Sequence, residues 1–166
     1  MRLASVALLA VLSTHAAANG RAPLTNGVFF RATDARSIYV RSTFGLLVSH
    51  DDGCSFRWIC EKAIGYGGEF DPKYAVTADG TIFATTFAGL RMTRDGCTWT
   101  TAPVGTGELW VDAIDIGPGG DVWVATAESA APNNVFRSTD NGATFAPKNL
   151  ASNTVWWKSV KVAPSN

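Results

Sequence analysis

The residues that decide the fold are Ser138-Thr139-Asp140-Asn141-Gly142-Ala143-Thr144-Phe145. An aspartate and a glycine between two apolar runs are typical of a tight hairpin. The Asp side chain accepts hydrogen bonds from the backbone of its own turn, and Gly tolerates a backbone shape that other residues avoid. The same pattern recurs at Ser49–Phe56 and at Met92–Trp99. Three copies at a spacing of roughly 45 residues indicate an internal repeat.

The flanking sequence repeats in register with these motifs. Before each motif come two β-rich runs separated by a Gly or Asp turn, and then an apolar pair that follows Gly or Asn. Each unit therefore reads as four short antiparallel strands, which is the content of one propeller blade. We predict an all-β fold, a β-propeller of four-stranded antiparallel blades with three blades plus the first strand of a fourth. The propeller spans residues 26–166, and its blades cover about 26–62, 72–103, 110–148 and, for the next blade, 156–166.

The motif resembles the BNR, or Asp-box, repeat, Ser-x-Asp-x-Gly-x-Thr-(Trp/Phe). Proteins of this kind include sialidases, sortilin-like receptor domains, xyloglucan-cleaving hydrolases and photosystem II assembly factors. Ser138–Phe145 matches at every defined position, and Ser49–Phe56 differs only at Ser55. In the middle copy Met92 replaces the Ser and Arg94 replaces the Asp. The resemblance implies that the motif residues are structural, namely Ser49, Asp51, Gly53, Phe56, Gly96, Trp99, Ser138, Asp140, Gly142 and Phe145.

The motif aromatics are expected to pack between blades. We predict that Phe56, Trp99 and Phe145 point inward, each burying about 150–250 Å². Arg94 at the Asp position of the middle copy favours a structural role, because a degenerate structural copy is tolerated whereas the loss of a catalytic acid is not.

The first residues have the features of a secretory signal peptide. Arg2 precedes an apolar run from Leu3 to Leu12, and small residues end at Ala18. A short apolar run with this ending predicts a signal peptide over residues 1–18 rather than a membrane span, which needs roughly 20 apolar residues. We therefore expect export to the periplasm or the extracellular space. Export makes disulfides possible, but the pairing of Cys54, Cys60 and Cys97 stays open.

Composition excludes several kinds of partner and cofactor. The chain has 14 basic and 14 acidic residues and no basic stripe, which disfavours nucleic acid. His50 is the one histidine beyond the predicted signal peptide, and no C-x-x-C pair is present. No metal site and no cofactor are therefore expected.

The sequence lacks residues that two kinds of enzyme of this repeat type need for catalysis or substrate binding. Sialidases carry an early Phe-Arg-Ile-Pro motif, of which only Phe30 and Arg31 agree here. Xyloglucan-cleaving hydrolases place a catalytic Asp after the second strand, where this chain has Thr43. Because an inverting glycosidase needs two carboxyl groups, this substitution argues against hydrolysis. The sequence favours a non-catalytic protein, although catalytic residues beyond residue 166 remain the alternative.

Loops between strands are the best candidates for a binding surface, since loops on a rigid scaffold commonly carry function. Aromatic and acidic side chains in them suit sugar rings or peptide segments. The predicted ligand-binding residues are Phe44, Tyr66, Glu69, Asp71, Phe87, Trp110 and Trp156. We expect an exported scaffold that binds a protein or a glycan, or else the N-terminal part of a sialidase-like or other glycoside hydrolase. Open blade edges also make self-association possible.

Overall fold

The computed structural model of the chain describes residues 22–164, so the predicted signal peptide lies outside the described residues. The strands are β1 (Thr25–Arg31), β2 (Asp34–Ser42), β3 (Gly45–Ser49), β4 (Arg57–Cys60), β5 (Tyr74–Val76), β6 (Ile82–Thr86), β7 (Gly89–Thr93), β8 (Thr100–Thr101), β9 (Val111–Ile116), β10 (Val122–Thr126), β11 (Val135–Ser138) and β12 (Ala146–Pro147). The one helix within 22–164 is a single turn, α1 (Glu61–Ile64), which follows β4.

The strands form three antiparallel sheets of four strands each. Sheet 1 is β1-β2-β3-β4, sheet 2 is β5-β6-β7-β8 and sheet 3 is β9-β10-β11-β12, each in chain order. Neighbouring strands follow one another along the chain because short turns connect them. The predicted all-β fold with four-stranded antiparallel units is confirmed.

The two faces of each sheet pack differently, as the alternation of side chains along a strand requires. We call the face that points toward the preceding sheet the leading face, and the opposite one the trailing face. On β6, Ile82 and Ala84 pack toward sheet 1, whereas Phe83 packs toward sheet 3. On β10, Val122 and Val124 pack toward sheet 2. Apolar cores therefore lie between successive sheets.

The hairpins at Ser138 and Ser49 form one hydrogen-bonded unit each. Ser138 Oγ donates to Asp140 Oδ1 at 2.7 Å and accepts from the backbone N–H of Gly142 at 2.8 Å. The backbone N–H of Thr144 donates to Asp140 Oδ1 at 2.9 Å. Hydrogen bonds to a carboxylate favour its charged form, so the Thr144 hydroxyl and these donors lower the pKa of Asp140 to about 2. The bonds from Ser55 lower the pKa of Asp51 to about 2 in the same way.

The middle hairpin is one residue shorter than the other two, and it keeps a hydroxyl and an aspartate at the motif positions. Thr93 pairs with Ile82, as Ser49 pairs with Ile38 and Ser138 with Val122. Thr93 Oγ1 donates to Asp95 Oδ1 at 2.9 Å and accepts from the N–H of Gly96 at 2.9 Å. Thr93 and Asp95 therefore perform the Ser and Asp roles that the alignment gave to Met92 and Arg94. One residue is missing between this aspartate and its glycine.

The prediction that the motif aromatics point inward is wrong for one of the three. Trp99 is 8% exposed and packs against sheet 1, and Phe145 packs against the core between sheets 2 and 3. Phe56 is 45% exposed. The motif aromatic lies on the leading face, and no preceding sheet covers that face of sheet 1 within residues 22–164.

The predicted first strand of a fourth blade is not formed within residues 156–164. A strand needs a hydrogen-bonded neighbour, and this segment lies against side chains of sheet 3 instead. Trp157 and Val160 pack on a cluster formed by Ala113, Ala125 and Val135. The backbone N–H of Val162 donates to Asp115 Oδ2 at 2.8 Å. The segment therefore covers the trailing face of sheet 3.

Three further observations concern the described residues. Cys54, Cys60 and Cys97 are free thiols, and Cys54 and Cys97 are exposed. In residues 22–164 no helix has the length and apolar character needed to cross a bilayer. Within the same range no three His, Cys, Asp or Glu side chains converge as a metal site would require.

Candidate functional site

The two ends of the sheets carry different connections. Cys60, at the end of β4, pairs with Gly45 at the start of β3. The connection to the next sheet therefore leaves from the end that also carries the β2–β3 turn. We call this end the connection face, and the opposite end, with the Asp-Gly hairpins, the hairpin face. The ligand-binding residues predicted from the sequence belong to the connection face or to the segment that follows β12.

Four aromatic rings form a continuous row on the connection face. Ring centroids are 4.5 Å apart for Phe70 and Phe87, 4.8 Å for Phe87 and Trp110, and 6.2 Å for Trp110 and Trp156. Phe87 is 55% exposed and Trp156 is 52% exposed. We call these four residues the aromatic row. Its members come from the connections before sheets 2 and 3, from the β6–β7 turn and from the segment after β12.

A lysine closes one end of the aromatic row. Lys158 Nζ lies 3.7 Å from the centroid of the Trp110 ring and 5.5 Å from that of Trp156. It also pairs with Asp112 Oδ2 at 3.0 Å, and Asp112 Oδ1 pairs with Lys73 Nζ at 3.3 Å. An ammonium over an indole face is attracted by the ring quadrupole. The arrangement therefore holds the segment that carries Trp156 against Trp110.

Glu128 fixes the position of Trp110. Its Oε2 accepts the backbone N–H of Trp110 at 3.2 Å, and its Oε1 accepts that of Ser129 at 2.8 Å. These backbone donors, with Trp110 first, lower the pKa of Glu128. Asn133, which is 1% exposed, donates its Nδ2 to the Glu128 carbonyl at 2.8 Å. The carboxylate thus joins the β10–β11 loop to the connection before β9.

The remaining predicted residues lie around the aromatic row or away from it. Tyr66 lines a depression of about 410 Å³ that also touches Phe87. Glu69 is exposed and Asp71 is half-buried on the same connection. Phe44 packs edge-on against Trp58 of its own sheet, with centroids 6.1 Å apart. The structure therefore brings together Phe87, Trp110 and Trp156, places Tyr66 beside them, and separates Phe44 from them.

The ligand-binding residues predicted from the sequence did not include Phe70, Lys158 or Glu128. Phe70 was visible in the same connection as Tyr66, but nothing in its spacing distinguished it as a member of a row. Lys158 follows Trp156 by two residues, and this aromatic-lysine pair is the signal that could have drawn attention to it. Glu128 carries no sequence signal, because its partners are backbone N–H groups, one of them that of Trp110 on another connection.

A second cavity, of about 370 Å³, lies where the first strands of the three sheets converge. Arg41 contributes its guanidinium there, held by Asn26 through Nε to Oδ1 at 2.7 Å and Nη2 to the carbonyl at 2.8 Å. Tyr74 also lines it, and burial raises the pKa of Tyr74 well above its usual range. Since β1, β5 and β9 all line this cavity, they are the innermost strands of the three sheets.

The two positions that bear on the enzyme readings make structural contacts. Arg31 donates from Nε to the carbonyl of Ala78 at 2.9 Å, which ties sheet 1 to the β5–β6 turn on the hairpin face. The Thr43 hydroxyl donates to the carbonyl of Ala22 at 3.0 Å and accepts the N–H of Leu24 at 3.1 Å. Arg31 thus lies at the end opposite to the aromatic row, and Thr43 anchors the segment before β1.

Three solved structures share this arrangement of sheets. An ancestral GH74 enzyme matches with a TM-score of 0.59 at 20% identity, over 78% of this chain and 18% of that one. The fold is that of a β-propeller. The GH74 enzyme of Niastella koreensis matches this propeller chain with a TM-score of 0.56 at 20% identity, over 76% of it and 22% of the enzyme. The GH74 xyloglucanase from Xanthomonas campestris matches with a TM-score of 0.52 at 20% identity, over 74% and 21% respectively.

The likeness concerns the fold of part of those proteins. The propeller chain spans about a fifth of the length of the solved structures it matches. No family model matches the sequence, and no curated protein matches it either. At this identity the shared feature is the stacking of four-stranded sheets, so the chemistry of this chain has to be argued from its own residues.

Proposed function

We propose that this chain is an exported propeller module, of the Asp-box kind, that binds a neutral glycan along the aromatic row. The observation that carries the proposal is the continuity of the rings of Phe87, Trp110 and Trp156 on a surface made of connections. Aromatic side chains expose flat apolar faces at low entropic cost, and such faces pack against the apolar faces of sugar rings. Because each ring contacts the next, the surface suits an extended chain of several sugar units rather than a single one.

The charges around the aromatic row favour binding over catalysis. Asp112 is engaged with two lysines, and Glu128 accepts three backbone N–H groups. A general acid must carry a proton near the working pH, and the lowered pKa of Glu128 opposes that. We therefore propose a non-catalytic role for the described residues.

A hydrolase role is the second candidate, and the likeness to GH74 enzymes favours it. In that case this chain supplies part of the sugar-binding surface, and the catalytic carboxylates belong to a longer protein. The two candidates share the aromatic row and differ in whether the chain by itself cleaves a bound glycan.

Affinity electrophoresis in native gels that contain a soluble polysaccharide measures the binding. The probes are xyloglucan, a mixed-linkage β-glucan and the acidic polymer polygalacturonate. We expect retardation by a neutral glucan, and a loss of affinity of roughly ten-fold, or about 1.4 kcal/mol, in Trp156→Ala and in Phe87→Ala. Matched controls are Trp58→Ala and Phe30→Ala, because these residues are 57% and 58% exposed but lie on sheet 1 away from the row.

Three outcomes separate the candidates. Equal loss in the row variants and in the controls would contradict the aromatic row as the site. Retardation only by polygalacturonate would contradict a neutral ligand. Release of reducing ends from the bound glucan by this chain would replace the non-catalytic role with the hydrolase role.

A further inference from the structure

The leading face of sheet 1 is a continuous apolar surface. Val28 pairs with Val40, Val40 with Leu47, and Leu47 with Trp58, so one row of apolar side chains crosses all four strands. A second row pairs Phe30 with Ile38. Because residues paired across antiparallel strands point to the same side, these side chains share one face.

This face is exposed where its equivalents are buried. Val28 is 59% exposed and Phe30 is 58% exposed. The register makes Val76 of sheet 2 the equivalent of Phe30, and Val76 is 7% exposed. In sheet 3, Ile114 is the equivalent of Val28 and is 8% exposed. Among residues 22–164, a neighbouring sheet thus covers these positions in sheets 2 and 3, and none covers them in sheet 1.

The opposite end of the row of sheets is already closed. Ala113, Ala125 and Val135 on the trailing face of sheet 3 are each less than 9% exposed, and Trp157 and Val160 pack over them. That trailing face is therefore not available as a ready partner for the leading face of sheet 1. Within residues 22–164, the apolar surface that no other segment covers is the leading face of sheet 1.

We propose that the leading face of sheet 1 is a docking surface for a second copy of this chain, leading face to leading face. The two rows carry no charged side chain, and Arg36, two residues before Ile38 on β2, is already paired with Asp52 at 3.2 Å, so a two-fold pairing brings no unpaired like charges onto the rows. Phe30, Phe56 and Trp58 are about half exposed and contribute roughly 300 Å² per copy. With Val28 and the half-buried aliphatic side chains, the buried total approaches the ~1,000 Å² that a specific but weak interface requires.

Sedimentation velocity over a concentration series tests the proposal on the full chain. We expect a dimer that dissociates on dilution through the micromolar range. Phe30→Glu places a carboxylate in the middle of the face, and it should lower the dimer fraction at least ten-fold. Phe87→Glu is the matched control, because Phe87 is as exposed as Phe30 but lies on the connection face. All variants contain residues 1–21, so any association through those residues contributes equally to the dimer fraction of each variant.

A charge-reversal mixture distinguishes face-to-face pairing from other association. Phe30→Glu and Phe30→Arg copies should each be monomeric alone and should form a mixed dimer when combined. A monomer at every concentration, an unchanged dimer in Phe30→Glu, or no recovery in the mixture would each overturn the proposal. If the unchanged chain is monomeric and only Trp157→Ser associates, the proposal is also overturned, because the partner of the leading face is then the uncovered trailing face of sheet 3. Glycan binding does not depend on Phe30, so either hypothesis can fail without the other.

Discussion

Replacing the motif aromatics one at a time tests the assignment of leading and trailing faces. Trp99 and Phe56 occupy the same place in successive Asp-Gly hairpins, yet Trp99 is 8% exposed and Phe56 is 45% exposed. Sheet 1 covers Trp99, whereas no preceding sheet covers Phe56 in the part of the chain that the structure describes. We therefore predict that Trp99→Ala destabilises the chain strongly and that Phe56→Ala does so weakly.

The magnitudes follow from the buried areas. Trp99 removes roughly 200 Å² from water, which at about 25 cal/mol per Å² stabilises the fold by ~5 kcal/mol at most. Residual burial in the unfolded chain reduces this by 10–40%. The indole Nε1 of Trp99 is buried without a hydrogen-bond partner among the described residues, so its removal returns about 1 kcal/mol. We expect Trp99→Ala to cost ~3 kcal/mol and Phe56→Ala about 1 kcal/mol.

Urea unfolding followed by far-ultraviolet circular dichroism measures both free energies, at a concentration low enough to keep the chain monomeric. Trp99→Phe is an internal check, because it keeps most of the buried ring and removes the unpaired N–H, and we expect it to cost less than half as much as Trp99→Ala. Equal losses in Trp99→Ala and Phe56→Ala would refute the reasoning, since they would mean that the two leading faces are covered alike.

Two further predictions concern the hairpins. Because the pKa of Asp51 and of Asp140 is about 2 in the folded chain, below the ordinary 3.8, their ionised forms stabilise the fold above pH ~4, and this contribution is lost as the pH falls toward 2. Thermal melts of Asp140→Asn should show a lower Tm at pH 6 and a shallower decline from pH 4 to 2; an unchanged decline would contradict the assignment. Gly142→Ala should cost 1–3 kcal/mol more than Gly120→Ala, because both glycines have a φ of +83° or +84° but a Cβ at Gly142 would lie 2.6 Å from Phe83 Cε1, whereas one at Gly120 meets nothing. Equal costs in urea unfolding would show that Phe83 moves aside freely.

The fold was predictable because its signals are local. An Asp-Gly hairpin is specified within about eight residues, and alternation within each strand sets which side chains share a face. Even here the structure corrected one detail. Thr93 and Asp95 make the hydrogen bonds of the middle hairpin, because the pairing register of the strands, rather than an ungapped sequence alignment, decides which residues are equivalent.

The candidate site was predictable only as a set of residue types. Aromatic residues in connections were visible, but their distances depend on how three sheets stack. Phe87 and Trp156 are separated in sequence by two strands, one connection and a whole sheet, yet both contact Trp110. Glu128, which holds Trp110 in place, acts through backbone groups that leave no pattern in the sequence, and the spacing of Lys158 from Trp156 does not reveal that its ammonium group lies over the ring of Trp110.

The sequence by itself determined the repeat, the strand content and the hairpin chemistry, since these rest on interactions between residues a few positions apart. Only the tertiary structure decided which apolar faces are covered. Phe56 and Trp99 each follow an Asp-Gly hairpin, but sheet 1 packs against Trp99, whereas within residues 22–164 no preceding sheet packs against Phe56, so one ring is buried and the other exposed. In the same way, residues 156–164 have the composition of a strand but lack a strand to pair with, so their side chains cover sheet 3 and position Trp156 beside Trp110.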